Sequence, residues 1–281
     1  MNQLLTPGHS ASSESNARRS GKERAGPLER PATLKVLDLF SGQGGFTIGL
    51  DRAGFQTIAF CEKSPFARRV LSRHWPQIPI FNDVTTLRAE DVGRVDLICG
   101  GFPCQDASIA NIGGLGAHGE RTGLFREILR LARDLGLPEL LLENVPELLN
   151  RGFGDVLGAL AALGYDVEWD CISASSLGAP HKRERLLIHA YAGGEGRPRS
   201  ILNDSIFVRA FSTFSEHGDN AFDEWAALER SEPVLRGRDG LSVSMERRRL
   251  SLCGNAVVPQ IPEILGRAIL ETAAIFERPA P

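Results

Sequence analysis

From Leu34 onward, short apolar runs alternate with stretches of helical periodicity, and the first run breaks into a glycine-rich turn, Ser41-Gly42-Gln43-Gly44-Gly45, before the next helix. That rhythm restricts the fold more than any other feature. Short buried strands joined through helices build a parallel sheet covered on both faces. The expected strands are Leu34–Leu39, Thr57–Cys61, Val95–Cys99 and Glu139–Leu142, with a final pair at Val167–Ile172 and Arg185–His189. The expected helices are Phe46–Ala53 stopped by Gly54, one opened by Ser64 as N-cap with Pro65 behind it, Gly123–Leu135, Phe153–Leu163 and Pro262–Phe276. The fold class is therefore α/β, a doubly wound, mostly parallel Rossmann-like sheet.

Residues 1–32 are rich in Ser, Arg, Gly and Pro and too poor in apolar side chains to offset the entropy of ordering, so they read as a disordered tail. Residues 33–191 form the main domain. The rhythm is lost over residues 192–245, which carry Gly, Arg, Ser and Asp and read as a small inserted region. Residues 246–281 return to the main domain. No apolar run reaches the length of a bilayer span, and the five cysteines include no CxxC pair. A cytoplasmic chain with neither disulfide framework nor metal site is expected. The net charge of -3 argues against a generally basic nucleic-acid binder, although Lys182-Arg183-Arg185, Arg197-Arg199 and Arg247-Arg248-Arg249 offer local positive clusters.

The glycine turn leaves a strand and enters a helix, where backbone can approach a ligand closely and helix N–H groups are free. A tight strand–helix connection would look the same. The next strand ends in Glu62, placed to accept from the hydroxyls of a ribose. Asp83 follows another short apolar segment and could accept from an adenine amino group or cap a turn. No Gly-Lys-Ser/Thr follows the glycines, which disfavours a phosphate-gripping loop and favours an adenosine ligand without phosphates. Cys61, Cys99 and Cys171 read as small buried hydrophobes. Cys104 differs: it stands just past a strand end, behind Gly100-Gly101 and a turn-stiffening Pro103, where α/β folds display reactive groups.

In order along the chain stand Asp38-Leu39-Phe40-Ser41-Gly42-Gln43-Gly44-Gly45, Glu62, Asp83-Val84, Gly101-Phe102-Pro103-Cys104-Gln105, Glu143-Asn144-Val145, Arg183-Glu184-Arg185 and Gly254-Asn255-Ala256-Val257-Val258-Pro259. In this collinear set the chain resembles the bacterial and phage DNA (cytosine-5) methyltransferases, over residues 34–190 and 246–276. The resemblance implies S-adenosylmethionine as methyl donor, held by Phe40, Ser41, Gly42, Gly44, Gly45, Glu62, Asp83, Val84, Pro103 and Asn255. It implies Cys104 as a nucleophile adding to carbon 6 of a flipped-out cytosine, Glu143 as the acid at N3, and Arg185 with Arg183 at the base carbonyl. It further implies double-stranded DNA as substrate, target recognition by residues 192–245, a loop at Ala107–Gly119 that closes over DNA, and a nucleoid-associated enzyme with a restriction endonuclease as possible companion. Three positions depart from the pattern. Asp106-Ala107-Ser108 replaces a Pro and aromatic before Ser, His181 replaces Gln, and Lys63 replaces an aromatic after the ribose-binding acid. An RNA cytosine methyltransferase with the same core, and a nicotinamide oxidoreductase on the glycine turn, are the competing readings.

Overall fold

The computed structural model describes residues 33–103, 123–179, 182–192, 205–217 and 257–276. They build a seven-stranded sheet in the order β3-β2-β1-β4-β5-β7-β6. Its strands are β1 Lys35–Leu39, β2 Gln56–Cys61, β3 Ile80–Phe81, β4 Leu97–Gly101, β5 Glu139–Asn144, β6 Tyr165–Ser173 and β7 Glu184–Ala192. All neighbours are parallel except β7, which runs antiparallel to both β5 and β6. The helices are α1 Gly45–Ala53, α2 Pro65–His74, the single turn α3 Ala89–Val92, α4 Gly123–Asp134, α5 Phe153–Ala162, α6 Ile206–His217 and α7 Gln260–Phe276. Among the described residues no helix is long and apolar enough to cross a membrane.

Two apolar cores lie on opposite faces of the sheet. On one face Leu37, Leu39, Leu140 and Leu142 meet Phe125, Ile128 and Leu131 of α4 and Phe153, Val156 and Leu160 of α5. On the other, Val36, Cys99, Leu141 and Leu187 meet Phe46 and Leu50 of α1, Ile206, Phe207 and Ala210 of α6 and Ile261 and Leu265 of α7. Side chains alternate across a strand, so successive residues of β5 serve both cores. That explains why Leu140, Leu141 and Leu142 are all fully buried. In α4 the buried residues Phe125, Ile128, Leu131 and Ala132 recur at helical spacing. Arg130 on its other side donates to the carbonyls of Val84 and Leu87 at 3.0 and 2.8 Å, tying α4 to the loop after β3.

The helix stops follow the sequence. Gly54 takes the left-handed conformation at the end of α1, with φ 109°. The Ser64 side chain accepts from Ala67 N at the start of α2, with Pro65 in the first turn. Three elements depart from expectation. The fourth strand extends through Gly100 and Gly101 rather than ending at Cys99. The last two strands are longer, at Tyr165–Ser173 and Glu184–Ala192, and pair with each other as antiparallel neighbours. Within residues 192–245, the stretch Ile206–His217 is a helix whose Ile206, Phe207 and Ala210 are buried in the second core. Cys61 and Cys99 are buried as expected, whereas Cys171 is half-exposed near the end of edge strand β6.

Candidate active site

The residues singled out in the sequence collect beyond the carboxyl ends of β1, β2, β4 and β5, where open α/β sheets bind ligands. At the end of β1 the chain reverses sharply. Phe40 and Gly42 both have positive φ, 53° and 55°. For a side chain as large as Phe40 this conformation costs about 1 to 2 kcal/mol and is held by its surroundings. The Ser41 hydroxyl donates to Asp38 O at 2.6 Å, so it ties the turn together. A Cβ added at Gly42 would meet only Phe40 O, at 3.9 Å, which leaves open space above the turn for a ligand.

Glu62 closes the turn from β2. Its Oε2 accepts from Gly42 N at 2.8 Å and its Oε1 from Ser64 N at 2.6 Å. Arg68 had no role in the sequence reading. Its Nη1 donates to the carbonyls of Glu62 and Lys63 at 3.1 and 2.8 Å, clamping the segment that presents the carboxylate. No local motif marks such a contact, because the arginine lies one helical turn away and its partners are backbone atoms. Asp83 accepts from Thr85 N at 2.9 Å and Thr85 Oγ1 at 2.7 Å, which holds its carboxyl below the usual carboxylate range. It therefore caps its own turn with Oδ1. Val84 is buried in the first core rather than facing the turn.

Gly44 and Gly45 are demanded by packing. A Cβ at Gly44 would stand 2.7 Å from the Trp75 ring, and one at Gly45 would stand 2.5 Å from Val257 O. Val257 lies two residues past Asn255, so the C-terminal segment packs directly behind the glycine turn. Asn255 itself lies outside the described residues, as do Cys104, the loop Gln105–Gly119, the tail 1–32, and the parts of 192–256 other than Ala192 and 205–217. The turn, the open space over Gly42 and the acid of Glu62 suit an adenosine-bearing donor, with Phe40 beside them. Among the described residues no group of three His, Cys, Asp or Glu side chains could hold a metal ion.

At the end of β5 stands Glu143, 8% exposed. Arg185 Nε lies 2.7 Å from Glu143 Oε1. Burial pushes the Glu143 carboxyl up, while the positive charges of Arg185 and then Arg183 oppose the shift. Burial also lowers Arg183, and the like charge of Arg185 adds to that effect. The structure thus unites Glu143, Arg183 and Arg185 as the sequence proposes. Two glycines make room for them. Gly101 pairs with Glu143 across the sheet, and a Cβ there would stand 2.6 Å from Glu143 Oε2. A Cβ at Gly100, φ 156°, would stand 2.1 Å from Leu39 O. The Asn144 side chain, also unassigned from sequence, bonds to Phe102 O at 3.1 Å. Pro103 then leads, exposed, toward Cys104.

An α/β sheet of this order, with a glycine turn and ribose-type acid at one strand pair and a buried glutamate between two arginines at the next, defines the class of nucleoside-dependent group-transfer enzymes. The sequence profile of the family described as C-5 cytosine-specific DNA methylase matches residues 34–216, and the chain belongs to that family. It is 37% identical over 165 residues to the Type II methyltransferase M2.BsuMI of Bacillus subtilis, and 34% identical over 163 residues to the Type II methyltransferase M.MspI of Moraxella. These alignments span 56% of this chain but 42% and 38% of the relatives, so the chain matches less than half of their length. Two solved structures share the fold. The Dnmt2 methyltransferase of S. pombe superposes with a TM-score of 0.51 at 18% identity, over 86% of this chain and 97% of that one. A mutant of the DNMT2 of Spodoptera frugiperda gives 0.51 at 22% identity, over 60% of this chain and 53% of that one.

Proposed function

We propose that this chain transfers a methyl group from S-adenosylmethionine to carbon 5 of cytosine in double-stranded DNA. The observation that carries the reading is the buried Glu143 held at 2.7 Å by Arg185, on the strand beside the one that leads into Pro103-Cys104. Cytosine carbon 5 is a weak nucleophile until something adds at carbon 6. The Cys104 thiolate forms that bond, and the displaced ring electrons make carbon 5 enamine-like. Glu143, favoured in its protonated form by burial, delivers a proton to N3, and Arg185 and Arg183 hold the carbonyl oxygen where charge builds. The donor supplies an electrophilic methyl to carbon 5. Loss of the carbon 5 proton then expels the thiolate and restores the ring double bond. Phe40, Gly42, Glu62, Asp83 and Asn255 hold the donor, with Ser41, Gly44, Gly45, Val84 and Pro103 shaping the walls around them.

Residues 192–245 supply target recognition in this reading, with α6 as the part that seats on the catalytic core. The companion restriction endonuclease and the nucleoid location belong to the same proposal, and the relatives' Type II names support them. Expression in a host without cytosine methylation, followed by bisulfite sequencing, is expected to reveal protected cytosines in one short DNA context. Complete conversion throughout, despite folded protein that binds the donor, would sink the proposal. Labelled methyl appearing in RNA and not in duplex DNA would favour the RNA reading instead.

A further inference from the structure

Asn144 is 3% exposed, and a buried carboxamide is costly unless both of its ends are bonded. Both are. Oδ1 accepts from Val145 N at 2.9 Å, and Nδ2 donates to Phe102 O at 3.1 Å. The second bond reaches across 42 residues of sequence to the segment that carries the nucleophile. Sheet pairing between β4 and β5 ends at Gly101 and Glu143. Phe102 O therefore lies past the last rung of the ladder, and Pro103, which has no N–H, follows it. The Asn144 side chain supplies the next rung. The Phe102 ring is pinned as well, 5% exposed and 5.1 Å from the Phe125 ring centroid. An apolar residue at 144 would fill the same space, but it would leave the direction in which the chain leaves β4 unset.

We infer that Asn144 is a positioning residue, which aims the Pro103-Cys104 turn through the Phe102 carbonyl and so holds the thiol in register with Glu143, its neighbour on the same strand end. This inference rests on the reading of Cys104 as nucleophile. Small misplacements of a reacting group cost about 100-fold in rate. Substrate and donor binding need not change, since Asn144 touches neither.

The test uses the full-length protein, S-adenosylmethionine, and a duplex bearing 5-fluorocytosine at the target, which traps the covalent adduct because the fluorine cannot be eliminated. Asn144→Ala is expected to bind donor within about twofold of wild type by calorimetry, and to keep its KM for duplex within a few-fold. Its adduct should form roughly 10- to 100-fold more slowly. Asn144→Asp provides a signature that mere loosening would not. An ionised carboxylate cannot donate to Phe102 O, whereas a protonated one can. The ratio of its adduct rate to that of wild type should therefore rise as pH falls from about 8 to about 6, because burial raises a carboxyl into that range. Where Asn144→Ala does not fold, this ratio carries the test by itself. An Asn144→Ala rate equal to wild type, or an Asn144→Asp ratio flat with pH, overturns the inference. A wild type that binds donor and duplex yet traps no adduct sinks the Cys104 reading, and the inference with it.

Discussion

Glu62 does two jobs with one carboxylate, and its substitutions separate them. The side chain accepts from Gly42 N and Ser64 N, so it fixes the glycine turn before any donor arrives. Removing a charged hydrogen-bond partner costs about 1.5 to 3 kcal/mol. Glu62→Ala should therefore weaken donor binding about 10- to 100-fold by calorimetry. Glu62→Gln should fall between the two, because its NH2 would face one of the N–H groups that the second oxygen now serves. Equal donor affinity in all three proteins would remove Glu62 from the donor site. Gly101 gives the complementary case at the other end of the site. Its Cβ would displace Glu143 Oε2, a flexible end that can move, so Gly101→Ala should fold and bind donor while losing methyl transfer. Full activity of that variant would place Glu143 away from the chemistry. The motif residues were legible in the sequence because their chemistry is local and collinear. The roles of Gly100, Gly101, Arg68 and Asn144 were not, since each answers a neighbour that comes near only after folding.

Among the elements, the α1–α7 contact is where glycine is least replaceable. A Cβ at Gly49 would stand 2.2 Å from Pro259 O and 2.8 Å from Glu263 N, both backbone atoms that cannot swing aside. Helix propensity alone favours Ala over Gly by about 1 kcal/mol. Overpacking typically costs about 1 to 3 kcal/mol, so packing wins here and Gly49→Ala should lower Tm. Gly158, in the interior of α5, is the control. A Cβ there meets nothing within 4 Å, so Gly158→Ala should raise Tm through propensity. Thermal unfolding of the two variants checks both signs, and an unchanged Tm for Gly49→Ala would mean that α7 does not pack as described. Elements with strong period and clear caps, such as α1, α2 and α4, were read from sequence to within a residue or two. Helix α6 was not. Its Phe207, Ala210 and Phe211 mark a buried face, but Gly- and Arg-rich surroundings concealed it. The β4 strand was cut short for the opposite reason, because two glycines look like a loop until Leu39 and Glu143 are seen to require them.

For the whole molecule, the mostly parallel sheet follows from the strand–helix rhythm, whereas the reversal of β7 does not. Apolar runs reveal burial, and direction is set by the connection. The link from β6 to β7 holds a single 3-10 turn, Ala174–Leu177, and no crossover helix, which permits only an antiparallel return. Beneath the opposite end of this architecture lies Asp38, fully buried at the centre of the sheet. Its Oδ2 accepts from Thr47 Oγ1 at 2.8 Å, while Oδ1 has no hydrogen-bond partner. Burial pushes its pKa from the ordinary 3.8 up to about 7, the Glu62 charge adding to the rise and the Thr47 and Ser41 bonds opposing it. The neighbouring Cys99 thiol is itself held neutral by burial and by Asp38. Folding thus takes up a proton at Asp38 wherever the unfolded carboxyl is ionised and the folded one is not. The contribution of this group to stability is greatest below about pH 4, falls as pH rises toward 7, and is level above that. The change over this window is of the order of 4 kcal/mol. Asp38→Asn cannot ionise and keeps an acceptor for Thr47. The stability of wild type relative to this variant, from urea unfolding at a series of pH values, should fall steadily between about pH 4 and pH 7 and then flatten. Parallel curves across that window would show that Asp38 is ionised in the folded protein and that its second oxygen has found a partner.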